Sequence, residues 1–227
     1  MRSFRVVDSP ECFWPVKPWY ARRYRLLGQV ASQRLKRLMD VGVCLMTLPF
    51  VVLLLALFCL AIRLDSSGAP LFVQERTGKG GRRFPMYKLR TMVRDAEALK
   101  SQYQSLNKRS YPDFKLQDDP RITRVGRFLR KTSLDELPQI FNVLRGDMSL
   151  VGPRPTSFDV SKYRLWHTAR LECTPGLTGL WQVSGRHELD FDERVRLDIA
   201  YIRHQSLWLD VRILGWTIGC VLGGRGE

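Results

Sequence analysis

The chain has 227 residues, with 37 lysines and arginines against 22 acids, a formal net charge of +15 and a pI near 10.1. That length suits one domain, or one domain with an appendage, and is enough for a real core. Such a charge excess points to anionic partners: nucleic acid, anionic lipid headgroups or phosphate-rich small substrates.

Residues 1 to 32 are basic and rich in Trp, Tyr and Pro ("ECFWPVKPWYARRYR"). Aromatics favour the headgroup level and arginines favour anionic lipid, so this stretch reads as an interfacial arm, with a plain disordered tail as the alternative. From Val41 to Ile62, "VGVCLMTLPFVVLLLALFCLAI" carries no charge across 22 residues. On a helix that length covers about 33 Å, enough to cross a hydrocarbon core. Yet both flanks are basic: Arg22, Arg23, Arg25, Arg34, Lys36 and Arg37 before, Arg63, Arg76, Lys79, Arg82 and Arg83 after. The positive-inside rule works through asymmetry, and here there is almost none. Pro49 lies within the segment, where it removes a backbone hydrogen bond and favours a kink. Thr47 or a neighbouring helix is the expected partner for the carbonyl so freed. A helix that enters one leaflet, bends at Pro49 and returns satisfies both features; a simple span and a buried core helix stay open.

Residues 65 to 92 are turn-rich and then short-strand-like, carrying Arg82, Arg83, Lys88 and Arg90. Residues 94 to 108 read as a polar helix. Arg121, Arg124, Arg127 and Arg130 follow at three-residue spacing, which on a helix drifts about 60° per step and makes a spiral, not a stripe. The stretch "RKTSLDELPQIFNVL" (130 to 144) then places Asp135 and Glu136 directly behind the arginines. Ser133-x-x-Glu136 fits a capping box at the start of a helix over 134 to 145, and acids near a helix N-terminus are favoured by the dipole. Gly/Pro turns follow, and the last 20 or so residues form an amphipathic helix that packs on the core or lies on a membrane. Helices predominate, strands are short and no βαβ alternation appears, so the class is α+β.

The five cysteines (Cys12, Cys44, Cys59, Cys173, Cys220) contain no C-x-x-C pair, which excludes a disulfide framework and a cysteine zinc site and fits a reducing compartment. His167, His187 and His204 lack H-E-x-x-H spacing or a G-x-S-x-G partner, and read as surface or packing residues.

Adjacent helical residues point about 100° apart, so Asp135 and Glu136 are no face-to-face acid pair. At a helix N-terminus both can still reach one ligand, and such an end attracts phosphate. Nearby arginines would keep both carboxylates ionised. An ionised aspartate is a competent nucleophile towards phosphorus, provided that arginines or Mg²⁺ neutralise the phosphate. These features suggest phosphoryl transfer at a membrane surface. A membrane-tethered nucleic-acid-binding protein explains the charge but not "LDELPQ", and no helix-turn-helix, zinc or ribonucleoprotein signature is present. A non-catalytic membrane scaffold likewise leaves that motif unexplained.

"KRLMD" (36 to 40), "RTGKGGRRFPMYKLRTM", "DPRITRVGRFLRKTSLDELPQIFNVLRGDMSLVGPRP", "PGLTGLWQVSGR" and "SLWLDVRIL" resemble, in order, the motifs of the bacterial sugar transferases, the small monotopic phosphoglycosyl transferases that act on polyprenyl phosphate. The resemblance runs from about residue 33 to the C-terminus; the first 32 residues and the extra N-terminal domain of larger relatives fall outside it. It implies a catalytic dyad at Asp135 and Glu136, with Asp135 as covalent nucleophile and as the site of Mg²⁺, or Mn²⁺ in its place. It also maps Arg130 and the Pro153-Arg154-Pro155 motif to the site, and Lys36, Arg37 and Asp40 to the point where the chain enters the membrane. The membrane segment is implied to be re-entrant, hinged at Pro49; the family often has Ser-Pro where this chain has Leu48-Pro49.

The expected architecture is therefore a basic, aromatic arm (1–32), a re-entrant membrane helix (33–64) and a compact cytosolic catalytic domain (65–227) with short strands and amphipathic interfacial helices. The expected activity moves a sugar 1-phosphate from a UDP-sugar to undecaprenyl phosphate through an aspartyl intermediate, releasing UMP, at the cytoplasmic face of the bacterial inner membrane. It would begin glycoconjugate or exopolysaccharide synthesis. Lys88, Arg90, Arg130 and Arg154 are the candidate phosphate ligands, with surface solvation or lipid contact as their alternative. Glu136 is expected to position the metal or manage a proton. The expected partners are the UDP-sugar, polyprenyl phosphate and anionic lipids, not nucleic acid; a homodimer is left open.

Overall fold

The computed structural model describes residues 29–96, 98–99, 116, 119–184 and 189–223. The arm up to residue 28, Cys12, His187 and most of the polar helix expected over 94 to 108 lie outside them. The described chain is mostly helical with a few short strands.

Helix α1 (Gln29–Asp65) is continuous through Pro49 and carries the whole apolar segment. Its middle exposes a broad apolar surface, including Met46, Phe50, Leu53, Leu57 and Leu60. Pro49 has no N–H for the Leu45 carbonyl. Thr47 does not serve that carbonyl: its hydroxyl donates to Val43 O at 2.9 Å and Cys44 O at 3.2 Å. A threonine reaches back one turn on its own helix, and such bonds favour bending.

Both ends of α1 dock on the rest of the protein. Near the N-terminal end, Lys36 Nζ lies 2.7 Å from Asp210 Oδ2, and Asp210 is also 2.6 Å from the Tyr201 hydroxyl. Arg37 donates to the Val143 and Leu144 carbonyls, the last turn of helix α3 (Gln139–Arg145), where a cation meets the negative end of the dipole. Asp40 accepts from Ser149 Oγ at 2.7 Å and from Leu150 N at 3.3 Å. At the other end, Ile62 is buried with Leu89 and Leu129, and Asp65 accepts from Val125 N at 3.0 Å. That last bond tops helix α2 (Arg124–Thr132), whose N-cap is Thr123.

Strands β1 (Leu71–Thr77) and β2 (Arg83–Leu89) form an antiparallel hairpin with Thr77 opposite Arg83. Gly80 (φ 63°) and Gly81 (φ 79°) make the turn between them, a left-handed conformation that costs glycine little. The outer edge of β2 is covered by fully buried Asn142, which accepts from Tyr87 N at 3.0 Å and donates to Pro85 O at 2.7 Å. Strands β3 (Ser149–Val151) and β4 (Gly176–Thr178) pair in parallel, although the sequence shows no βαβ pattern. The reason is the connection: it holds only short 3-10 turns at Val160–Lys162 and Leu165–Glu172. A Cβ on Gly176 would come within 2.0 Å of Gly152 N, so the backbones meet there only because both are glycine. Helices α4 (Leu180–Ser184), α5 (Phe191–His204) and α6 (Leu207–Leu222) complete the fold. The core joins Cys44 and Val51 of α1 to Phe84, Met86, Val143, Leu150, Tyr201 and Ile213.

Two expectations fail around the acidic pair. Ser133 precedes the dyad turn but does not cap it with its side chain: it sits in the left-handed region (φ 57°) and closes α2 by donating its N–H to Arg130 O at 3.1 Å. The helix expected over 134 to 145 is instead a 3-10 turn, Leu134–Glu136, followed by α3. The capping box is lost because the Glu136 carboxylate is drawn to two cations in place of a backbone N–H. Nor do the four arginines share one helix: Arg121 precedes α2 and pairs with Asp119 at 2.6 Å.

Replacing Asp210 with Ala leaves Lys36 buried without its counter-ion. It should destabilise the protein by about 3–5 kcal/mol, a fall of about 10 °C in the melting temperature of a chain this size. A Lys36→Met, Asp210→Leu pair should regain most of it. Thermal unfolding in detergent measures this, and an unchanged melting temperature for Asp210→Ala would mean the ion pair does not hold α1.

Candidate active site

Four segments distant in sequence bring charge to one place. The 3-10 turn presents Asp135 and Glu136, both largely buried; β2 presents Lys88; the Pro-Arg-Pro segment after β3 presents Arg154. Lys88 Nζ lies 2.9 Å from Glu136 Oε1 and 3.9 Å from Asp135 Oδ2. Arg154 grips Glu136 with both terminal nitrogens, Nη1 at 3.1 Å from Oε2 and Nη2 on Oε1. This fork suits a planar guanidinium facing a carboxylate.

Burial alone would raise the Glu136 pKa, but the charges of Arg154 and Lys88 outweigh it and hold the carboxyl well below the usual range. Glu136 is therefore ionised throughout the physiological range. In this geometry it holds the two cations beside Asp135.

The other site residues divide. Arg130, at the end of α2, donates from Nε to Thr91 Oγ1 at 2.9 Å, which ties α2 to the segment following β2. Arg90 is not placed at the dyad. It leaves the strand, since β2 ends at Leu89, and its buried guanidinium donates to the Ser66 carbonyl at 2.8 Å, to Ser66 Oγ at 3.1 Å and to the Ser67 carbonyl. It closes the C-terminal end of α1. Lys36, Arg37 and Asp40 are docking residues of α1, as described above.

Sequence reasoning missed two groups. Asn142 sets β2, and so Lys88, against α3; an asparagine inside a helix, where its propensity is poor, was the available signal. Arg170 and Asp198 lie in no motif. Arg170 Nη2 is 2.6 Å from Asp198 Oδ2 and donates to the Arg154 carbonyl at 2.7 Å. Burial pushes the Asp198 carboxyl up to about 6 against the pull of Arg170 and Arg194. Beside Arg154 opens a small cleft lined by Thr77, Gly78, Tyr163, Arg170 and Cys173.

Among the described residues no three Asp, Glu, His or Cys side chains converge as a ready metal cage. The donors at the dyad are carboxylate oxygens, without His or Cys. Magnesium is commonly held by one or two carboxylates with substrate phosphates completing its shell. The Asp135 and Glu136 carboxylates are the donors at this place that such an ion would use.

The family model described as "Bacterial sugar transferase" matches residues 31–224. The chain belongs to that family. Among its relatives, galactosyl transferase CpsE of Streptococcus agalactiae is 46% identical over 193 residues, 84% of this chain but 43% of its own length. An undecaprenyl-phosphate galactose phosphotransferase of Salmonella typhimurium is 43% identical over 205 residues, again 43% of its own length. The exopolysaccharide production protein ExoY of Rhizobium meliloti is 37% identical over 210 residues, 89% of this chain and 90% of its own length. This member of the family thus spans less than half of the first two relatives and nearly all of ExoY.

The depressed Glu136 carboxyl makes a stability prediction. A group whose pKa is lowered on folding contributes stability above its unfolded value, near 4.5 here, and loses it as pH falls towards the folded value. The gap in melting temperature between wild type and Glu136→Gln should be constant above about 4.5 and shrink below it. Melts in buffers either side of that value test it, and a gap that widens in acid would contradict the ionised assignment.

Proposed function

We propose that the protein transfers a sugar 1-phosphate from a UDP-sugar to undecaprenyl phosphate, as a phosphoglycosyl transferase working on the cytoplasmic face of the bacterial inner membrane. The observation that carries this reading is the convergence of Lys88 and Arg154 on Glu136, directly beside a second carboxylate, Asp135. In a family whose members include named undecaprenyl-phosphate sugar phosphotransferases, that arrangement fits displacement at phosphorus.

An Asp135 oxygen attacks the β-phosphorus of the UDP-sugar, the bond from that phosphorus to the bridging oxygen breaks, and UMP leaves with the electron pair. An oxygen of undecaprenyl phosphate then attacks the same phosphorus and the bond to Asp135 breaks, regenerating the carboxylate. Lys88 and Arg154 offset charge on the equatorial oxygens, and Arg130 is a further cation at the same end of α2. Magnesium, or manganese, would be held by Asp135 and would supply additional neutralisation of the two phosphates. The product would start exopolysaccharide or glycoconjugate assembly, consistent with the names of ExoY relatives.

The same reading makes α1 re-entrant: residues 33–64 dip into one leaflet and return, and residues 65–227 form the cytosolic catalytic part. It is supported by the docking of both ends of α1 on one body, through Lys36, Arg37 and Asp40 at one end and Ile62 and Asp65 at the other. A helix spanning the bilayer would place those two sets on opposite sides. Thr47 and Pro49 lie between them.

Two experiments test this. The first incubates purified protein with a panel of UDP-sugars, UDP-galactose and UDP-glucose among them, with undecaprenyl phosphate and Mg²⁺, and follows UMP release. Asp135→Asn should lower turnover by several orders of magnitude, excess EDTA should stop it, and mass spectrometry without acceptor should find a phosphosugar on Asp135. Near-normal turnover by folded Asp135→Asn would overturn the covalent mechanism, and full activity in EDTA would remove the metal.

The second places a single cysteine at residue 28 of an otherwise cysteine-free protein and adds a membrane-impermeant reagent to intact cells. The wild-type background should stay unlabelled, while Pro49→Ala should straighten α1 and let a fraction react. Labelling of the wild-type background from the periplasm would mean that α1 crosses the bilayer.

A further inference from the structure

Four consecutive carbonyls, those of Pro153-Arg154-Pro155 and of Thr156, each meet a different donor. Gly176 N donates to Pro153 O at 3.0 Å and Thr77 N to Thr156 O at 2.9 Å. Arg76 Nη1 donates to Pro155 O at 3.2 Å. The remaining carbonyl, that of Arg154, is held by the Arg170 side chain at 2.7 Å. Pro153 has a fixed φ, and Pro155 keeps Arg154 out of the helical region. With so little torsional freedom, turning the Arg154 carbonyl also turns its Cα–Cβ bond.

Arg170 comes from the turn Leu165–Glu172 and Asp198 from α5, and both are almost wholly buried. The Arg170 guanidinium also lies 5.6 Å from the centre of the Phe191 ring, a cation–π distance. A buried ion pair contributes little net stability over a well-packed apolar pair of the same volume. The upward shift of the Asp198 carboxyl agrees, since desolvation there outweighs attraction. What such a pair supplies is orientation: Asp198 fixes the guanidinium, and the guanidinium fixes one carbonyl.

We propose that Arg170, clamped by Asp198, is a positioning residue that aims Arg154 at Glu136 by holding the Arg154 carbonyl. The inference rests on the reading of Arg154 as part of a phosphoryl-transfer site. A guanidinium displaced by an ångström there costs on the order of a hundredfold in rate, while the binding of distant parts of the donor is untouched.

The test measures kcat and KM for the UDP-sugar in the full-length, detergent-solubilised protein. An Arg170→Met, Asp198→Leu pair removes both charges together and should melt close to wild type. Its kcat should fall by about 10- to 100-fold with KM nearly unchanged. Arg170→Lys keeps a donor for the carbonyl and should recover part of that loss. If the double variant does not fold, Asp198→Asn, which keeps shape and an acceptor oxygen, should show a smaller fall in kcat at constant KM.

A folded double variant with wild-type kcat, or a loss confined to KM, would overturn the inference and leave the assigned reaction standing. A wild-type protein that releases no UMP from any UDP-sugar would remove the reaction, and this inference with it.

Discussion

The Glu136 carboxylate is shared by Lys88 and Arg154, and most of the fold can be understood as what holds those three groups together. A carboxylate this buried is tolerated only when cations and hydrogen bonds replace its lost water. The two cations have their own supports. Asn142 pins β2 to α3, so Lys88 cannot slide away from the turn that carries the dyad. The Pro-Arg-Pro segment is fixed carbonyl by carbonyl, so Arg154 arrives from a backbone with little freedom. Removing any one support loosens a buried charge, which is why polar residues recur so deep in this protein.

Neutralising Glu136 has a chemical consequence for its neighbour. Adjacent residues on a tight turn diverge, and here one of them is matched by two cations while the other stands 3.9 Å from Lys88. Two carboxylates with equal surroundings would compete for the same role. This arrangement separates them, since Arg154 and the closer contact of Lys88 both fall on Glu136. The large basic excess of the chain is consistent with anionic substrates and an anionic surface.

Helix α1 is held by buried polar contacts at its ends and offers apolar surface in its middle. The reverse would be expected of a helix that merely passes through a bilayer beside its domain. Arg37 at the end of α3, Asp40 on β3 and Asp65 on α2 tie this long apolar helix to the same elements that flank the dyad.

Local pattern alone identified the apolar segment, its basic flanks, Pro49, short-strand character within residues 65 to 92, the terminal amphipathic helix and the Asp135-Glu136 pair. Each depends on composition or spacing within a few turns of chain, which sequence displays directly. The pairing of Ser133 with Glu136 was misread, because a capping box is written locally while the cations that displace it come from residues 48 and 18 positions away. The partners of Arg90 were likewise not legible locally, since Ser66 and Ser67 lie some two dozen residues before it. Arg170 and Asp198 carried no local signal, since each is meaningful only against the other and against one backbone carbonyl. Sequence determined which groups the protein has; burial decided which of those charges must pair.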